Sequence, residues 1–212
     1  MASTNHEDLE REVRQCLGRQ DPAAAATLAI RGLGPEIFGF LVSVHRTETE
    51  AAEVFSFFTE RLWRGLGAYQ GDCSVRTWAY VVARHASLNY RRDEHRRQKR
   101  LRPLSETSDL EAAVRSETAS YLRSDRRARF TELRHSLPLD DQTLLILRVD
   151  RSLSWADLAQ VMHDGAGLEP ASALTGEALV RETARLRKRF QSVKERLLAL
   201  GRQAGVVTVE ED

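Results

Sequence analysis

The chain has 212 residues, 42% of them hydrophobic, which is enough for one large domain or two small ones with real cores and excludes wholesale disorder. The net charge of +1 announces no nucleic-acid binder by itself, and the two cysteines, Cys16 and Cys73, lack metal-type spacing and read as free thiols of a reducing compartment. The N-terminus is polar, without the apolar core of a signal peptide, and no stretch approaches the length of a membrane span, so a cytoplasmic protein with no membrane insertion is expected.

Apolar residues recur with helical spacing and no run sustains alternation of period two, which predicts an all-α chain of two small helical domains joined by a linker. The first domain is expected over residues 1–100. It begins with an N-terminal helix, an Ala-rich helix after Asp21-Pro22, and a further helix after Pro35 carrying Ile37, Phe38, Leu41 and Val42. Thr47-Glu48-Thr49-Glu50 has the capping-box form, in which side chains satisfy the free N–H groups of a helix start. The helix it opens carries Val54, Phe55, Phe58, Leu62 and Trp63, and Gly65 and Gly67 mark its end. Gly71 then makes a turn, and Ser74 is an N-cap for the helix bearing Trp78 and Tyr80.

Residues 101–123 are rich in Ser, Thr and Glu and read as a linker. The second domain is expected over 124–202. Leu137-Pro138 punctuates it, and Asp140 or Asp141 starts a helix over Thr143–Val149. Ser154-Trp155-Ala156-Asp157, again a capping box, opens a short helix Trp155–Met162. A Gly/Pro/Ala segment from His163 to Thr175 leads into a long helix from about Gly176 to Arg202, and residues 203–212 form an acidic tail. In the long helix Leu186, Phe190, Val193, Leu197 and Leu200 make one apolar stripe, with Arg187, Gln191 and Lys194 on another face.

Charge is segregated along the chain. Eight Lys or Arg lie between Arg84 and Arg102 against Asp93 and Glu94, and eight between Arg181 and Arg202 against Glu182 and Glu195. A cationic helix end beside a Trp/Tyr pair suits a protein that grips a nucleic-acid strand. A short helix followed by a basic one is the layout of a helix-turn-helix, whose second helix enters the major groove with Arg and Lys on guanine edges or phosphates and Gln on adenine. No Ser/His/Asp arrangement, Gly-rich phosphate loop or Cys/His cluster stands out, which leaves enzyme readings and cofactors without a basis.

Three stretches carry a family resemblance. Tyr69-Gln70-Gly71-Asp72-Cys73-Ser74-Val75-Arg76-Thr77-Trp78-Ala79-Tyr80-Val81-Val82-Ala83-Arg84-His85 follows the pattern F-R-G-x-x-S-F-R-T-W-L-Y-R-I-A-R-N almost position by position. Ala51-Ala52-Glu53-Val54 and Arg61-Leu62-Trp63-Arg64 resemble the ends of a helix that binds polymerase. Leu137-Pro138, Leu153-Ser154-Trp155-Ala156-Asp157-Leu158-Ala159 and the Leu186–Leu197 stretch resemble a promoter-reading helix-turn-helix. On these the chain resembles the extracytoplasmic-function (group IV) sigma factors of bacterial RNA polymerase, within the sigma-70 family. The resemblance implies a region 2 domain over 1–100 and a region 4 domain over 124–202, and hence binding to core RNA polymerase and promoter DNA. It also makes an anti-sigma factor, membrane-associated or soluble, a partner to look for.

By the same resemblance, Asp72, Ser74, Arg76, Thr77, Tyr80, Arg84, Asn89, Arg91 and Arg92 would read and open the −10 element, with Tyr80 a stacking surface. Arg187, Lys188, Arg189, Gln191, Ser192 and Lys194 would read the −35 element. Glu53, Val54, Phe57, Arg61 and Trp63 would contact polymerase. Trp78, spaced with Val81 and Val82, reads as core. Two departures stand out. The middle of the polymerase-binding helix, Phe55-Ser56-Phe57-Phe58-Thr59, is unusually apolar, so either its contact is hydrophobic or part of it faces inward. The connection between the two promoter-reading helices is about 17 residues longer than the family norm. The rival readings are a stand-alone helix-turn-helix regulator without polymerase binding and a helical regulatory interaction protein.

Overall fold

The computed structural model describes residues 2–45, 47–92, 132–163 and 173–204, and every regular element among them is helical. The expected linker, its two boundaries and nearly all of the acidic tail lie outside these residues.

Four helices and a short turn make the first unit: α1 (Ala2–Gly18), α2 (Pro22–Val44), α3 (Glu48–Gly65), a 3-10 turn (Leu66–Ala68) and α4 (Val75–Arg92). Local chemistry sets the helix starts. Asp21 accepts from Ala24 N–H at 2.9 Å with Pro22 in the first turn, and Thr47 Oγ1 accepts from Glu50 N–H at 3.1 Å. At α4, Ser74 Oγ accepts from Thr77 N–H at 3.0 Å.

One continuous helix, α2, replaces the two expected on either side of Pro35. A proline inside a helix removes one N–H donor and crowds the preceding turn. Burial of Leu33, Ile37, Phe38, Phe40 and Leu41 around Pro35 offsets that cost, because the helix is packed by α1, α3 and α4. By length and composition α2 could also cross a membrane, so the expectation that no stretch approaches a span is corrected. Helix neighbours cover it here: 56% of its most apolar window is buried, the setting of a core helix.

The second unit holds α5 (Leu139–Leu145), a π-helical turn (Ile146–Asp150), α6 (Trp155–Met162) and α7 (Gly176–Gln203). The helix expected over Thr143–Val149 starts earlier, at Leu139, with Asp140 and Asp141 in its first turn, where carboxylates complement free N–H groups. Ser154 caps α6, accepting from Asp157 N–H at 3.1 Å and donating to Asp157 Oδ2 at 2.6 Å. The apolar stripe of α7 docks as its spacing predicts. Leu186 and Val193 are buried, and Phe190, Leu197 and Leu200 pack against a cluster of Leu137, Leu145 and Val193. Gln160 of α6 brackets the backbone of Leu174, donating to its carbonyl at 2.8 Å and accepting from its N–H at 2.9 Å. That double contact returns the chain to α6 just before α7 begins.

Candidate nucleic-acid interface

In the first unit the candidate surface is the loop between the 3-10 turn and α4, together with α4 itself. Gly71 turns the loop at φ +82°, a conformation that disfavours any side chain. Asp72 and Ser74 are exposed on it. Arg76, one turn into α4, faces inward: its Nε donates to Glu36 Oε1 at 3.1 Å and its Nη2 makes a second short bond to the same carboxylate. Tyr80 Oη donates to Glu36 Oε1 at 2.8 Å, and His6 Nε2 lies 3.2 Å from Oε2. Burial pushes the Glu36 carboxyl up, but the hydrogen bonds and charge of Arg76, with Tyr80 and His6, outweigh it and hold Glu36 below the ordinary carboxylate value.

This arrangement corrects part of the −10 set. Tyr80 is completely buried, edge-on to Phe40 at 5.4 Å, so its ring has no face on which a base could stack. Thr77 and Arg84 are buried as well, and Thr77 Oγ1 sits 2.8 Å from Ser74 Oγ as part of the helix cap. All three lie on the inward stripe of α4, which an apolar helix face dictates. Trp78 is buried beside Tyr69, in agreement with its spacing. Asn89 is half-buried, Arg91 and Arg92 are exposed at the C-terminal end of α4, and Arg91 donates to Val44 O at 3.1 Å. Of the residues expected at the −10 element, the exposed ones therefore fall at the two ends of α4: Asp72 and Ser74 at one, Arg91 and Arg92 at the other.

On α3 the apolar middle turns inward in part. Phe55, Phe58 and Thr59 are buried, while Ser56 and Phe57 are half-buried. Val54, expected at the polymerase contact, is fully buried and belongs to the core. Glu53 accepts from Tyr90 Oη at 3.0 Å, and Trp63 is half-buried. Arg61 is also half-buried, and burial lowers its pKa, partly countered by the charge of Glu60.

On α7 the side chains of Arg187, Lys188, Gln191, Ser192 and Lys194 are exposed on the side away from the apolar stripe. Arg189 departs from this set: its Nε donates to Asp141 Oδ1 at 2.7 Å, which turns it back toward α5. Aromatic rings support two of the exposed cations. The Arg187 guanidinium lies 5.7 Å from the Trp155 ring centre and Lys194 Nζ lies 5.4 Å from that of Phe190. Arg148, which the sequence did not single out, stacks at 4.8 Å on the same Trp155 ring. Glu36 also escaped the sequence reading, although a lone carboxylate in the apolar run Leu33–Leu41 was a signal for a buried partner.

The sigma-70 region 2 family model matches residues 29–97, from within α2 past the end of α4. The RNA polymerase sigma factor YlaC of Bacillus subtilis (strain 168) is 31% identical over 132 residues, covering 60% of this chain and 73% of that relative. The RNA polymerase sigma-H factor of Pseudomonas aeruginosa (strain PAO1) is 27% identical over 138 residues, covering 62% of this chain and 72% of the relative. No solved structure matches the chain.

Proposed function

The chain belongs to the sigma-70 family of RNA polymerase sigma factors, non-catalytic proteins that bind polymerase and recognise promoters, and from that premise we propose a division of labour between its two units. The first unit binds core polymerase through α3 and takes the −10 element as single-stranded, extruded bases. The second reads the −35 element as duplex.

The observation that carries this reading is the set of exposed polar and basic side chains along one face of α7, with the apolar stripe docked in the core. A helix so mounted behind α6 offers Arg187, Gln191 and Lys194 at successive turns, the spacing that a major groove accepts. In the first unit, Asp72 and Ser74 would pocket an extruded base, and Arg91 and Arg92 would line the path of the displaced strand. Asn89 lies between these ends and would take a hydrogen bond from the same strand. Of the α3 candidates, Glu53, Phe57, Arg61 and Trp63 remain for the polymerase contact. A protein with this work acts beside the chromosome, in the bacterial cytoplasm.

The test is reconstitution with purified core polymerase and run-off transcription from a promoter library. A stable complex and transcripts from promoters sharing two spaced elements are expected. A chain that binds duplex DNA but forms no complex with core is instead a stand-alone regulator.

A further inference from the structure

We propose that Glu10 of α1 is the positioning residue that fixes the shape of the Gly71–Ser74 loop and, through it, the base preference at the −10 element; the proposal rests on the reading of that loop given above. Glu10 lies outside the region that matches the family model. Its carboxylate nevertheless holds the loop at both ends. Oε2 accepts from Val75 N–H, the first residue of α4, at 2.6 Å. Oε1 lies 3.3 Å from the hydroxyl of Tyr69, the residue that enters the loop. The one proton of that hydroxyl is shared between Glu10 and the closer carbonyl of Cys73 inside the loop.

A second side chain of α1 lies beside the turn itself. Arg14 Nε donates to Glu10 Oε1 at 2.6 Å, and the Arg14 guanidinium stands 3.7 Å from where a Cβ on Gly71 would lie. One turn of α1 thus holds the entry and the exit of the loop, with Arg14 beside its bend. Burial, and then the charge of Glu10, push the Tyr69 phenol up, so it stays a neutral donor at any working pH.

The charge of Glu10 also decides what the loop can do. The start of a helix leaves N–H groups unpaired and attracts anions, which in a DNA-binding loop invites a backbone phosphate. Here Glu10 takes Val75 N–H and Ser74 Oγ takes Thr77 N–H, so two of those N–H groups are engaged and a carboxylate stands where a phosphate would approach. Asp72 and the loop edge are left to meet bases, with geometry set from α1.

The experiment uses the full chain with core polymerase and scores run-off transcription across promoters varied at each −10 base. Discrimination of about ten-fold per position should fall to about two-fold in Glu10→Ala, with core binding retained. Glu10→Gln keeps an acceptor for Val75 N–H and should preserve most of the preference. Tyr69→Phe should flatten it at the same positions, and the double variant should be no worse than Glu10→Ala alone. If Glu10→Ala does not fold, Tyr69→Phe carries the test, because its ring keeps its place beside Trp78. An unchanged profile in both, while Asp72→Ala shifts it, overturns the role of Glu10 and leaves the loop reading standing. An unchanged profile in all three overturns both.

Discussion

Arg189 on α7 donates a hydrogen bond from Nε to Asp141 Oδ1 in the first turn of α5, at 2.7 Å, and Arg196 Nη1 lies 3.6 Å from the other carboxylate oxygen. A basic residue of α7 is thereby committed to holding the helices together. Asp141 is nearly buried, so removing Arg189 leaves its carboxylate with poor solvation and only the more distant Arg196 as a cation. Arg189→Ala should lower the stability of the second unit by about 1–3 kcal/mol, read as a fall in its melting temperature. Arg187→Ala should leave melting near that of the parent chain and weaken binding to a −35 duplex.

Salt dependence separates contact from support. If Arg187 and Lys194 each neutralise a phosphate, replacing either with alanine should reduce the slope of log K against log salt by about 1. Arg189→Ala, compared at a temperature where it is folded, should leave the slope unchanged. Titrations on a labelled −35 duplex at several salt concentrations measure this directly.

The Glu36 cluster predicts a pH effect of definite sign. The folded carboxyl is held below its ordinary value, so the ionised form contributes stability that is complete above the unfolded value of about 4.3 and is lost as pH falls through the folded one. Thermal melts from neutral pH to about pH 3 should therefore show an acid-side loss that Glu36→Gln removes, together with lower stability at neutral pH.

Arg76 and Tyr80 share that carboxylate but should differ in their cost. Arg76→Ala strands a largely buried charge and should destabilise the first unit by about 2–3 kcal/mol, losing promoter activity through the fold. Tyr80→Phe removes one hydroxyl and should cost about 1 kcal/mol while promoter opening persists. Melting curves and single-round transcription on the same variants distinguish these outcomes.

What could be read from sequence was local. The caps at Thr47, Ser74 and Ser154 and the stripe from Leu186 to Leu200 depend on residues within a few turns of one another, and the structure places them as their spacing requires. The break expected at Pro35 failed because tertiary packing outweighed a local penalty. Among the candidate site residues, composition alone could not separate the inward stripe of α4 from its ends. Tyr80 and Arg84 look like DNA contacts by type and are core by position. The acids that fix this arrangement are remote in sequence. Glu36 meets Arg76 across 40 residues and Glu10 meets Val75 across 65, separations that carry no periodic signal.

Promoter opening by the first unit is tested most directly by permanganate footprinting, which marks unstacked thymines, on a promoter recovered from the run-off library. Core polymerase alone should leave the −10 thymines protected, and addition of the full chain should make them reactive, with the reactivity reduced by Asp72→Ala. Thymines that stay protected in a complex where the chain still occupies the −35 duplex would contradict a melting role for the loop and α4.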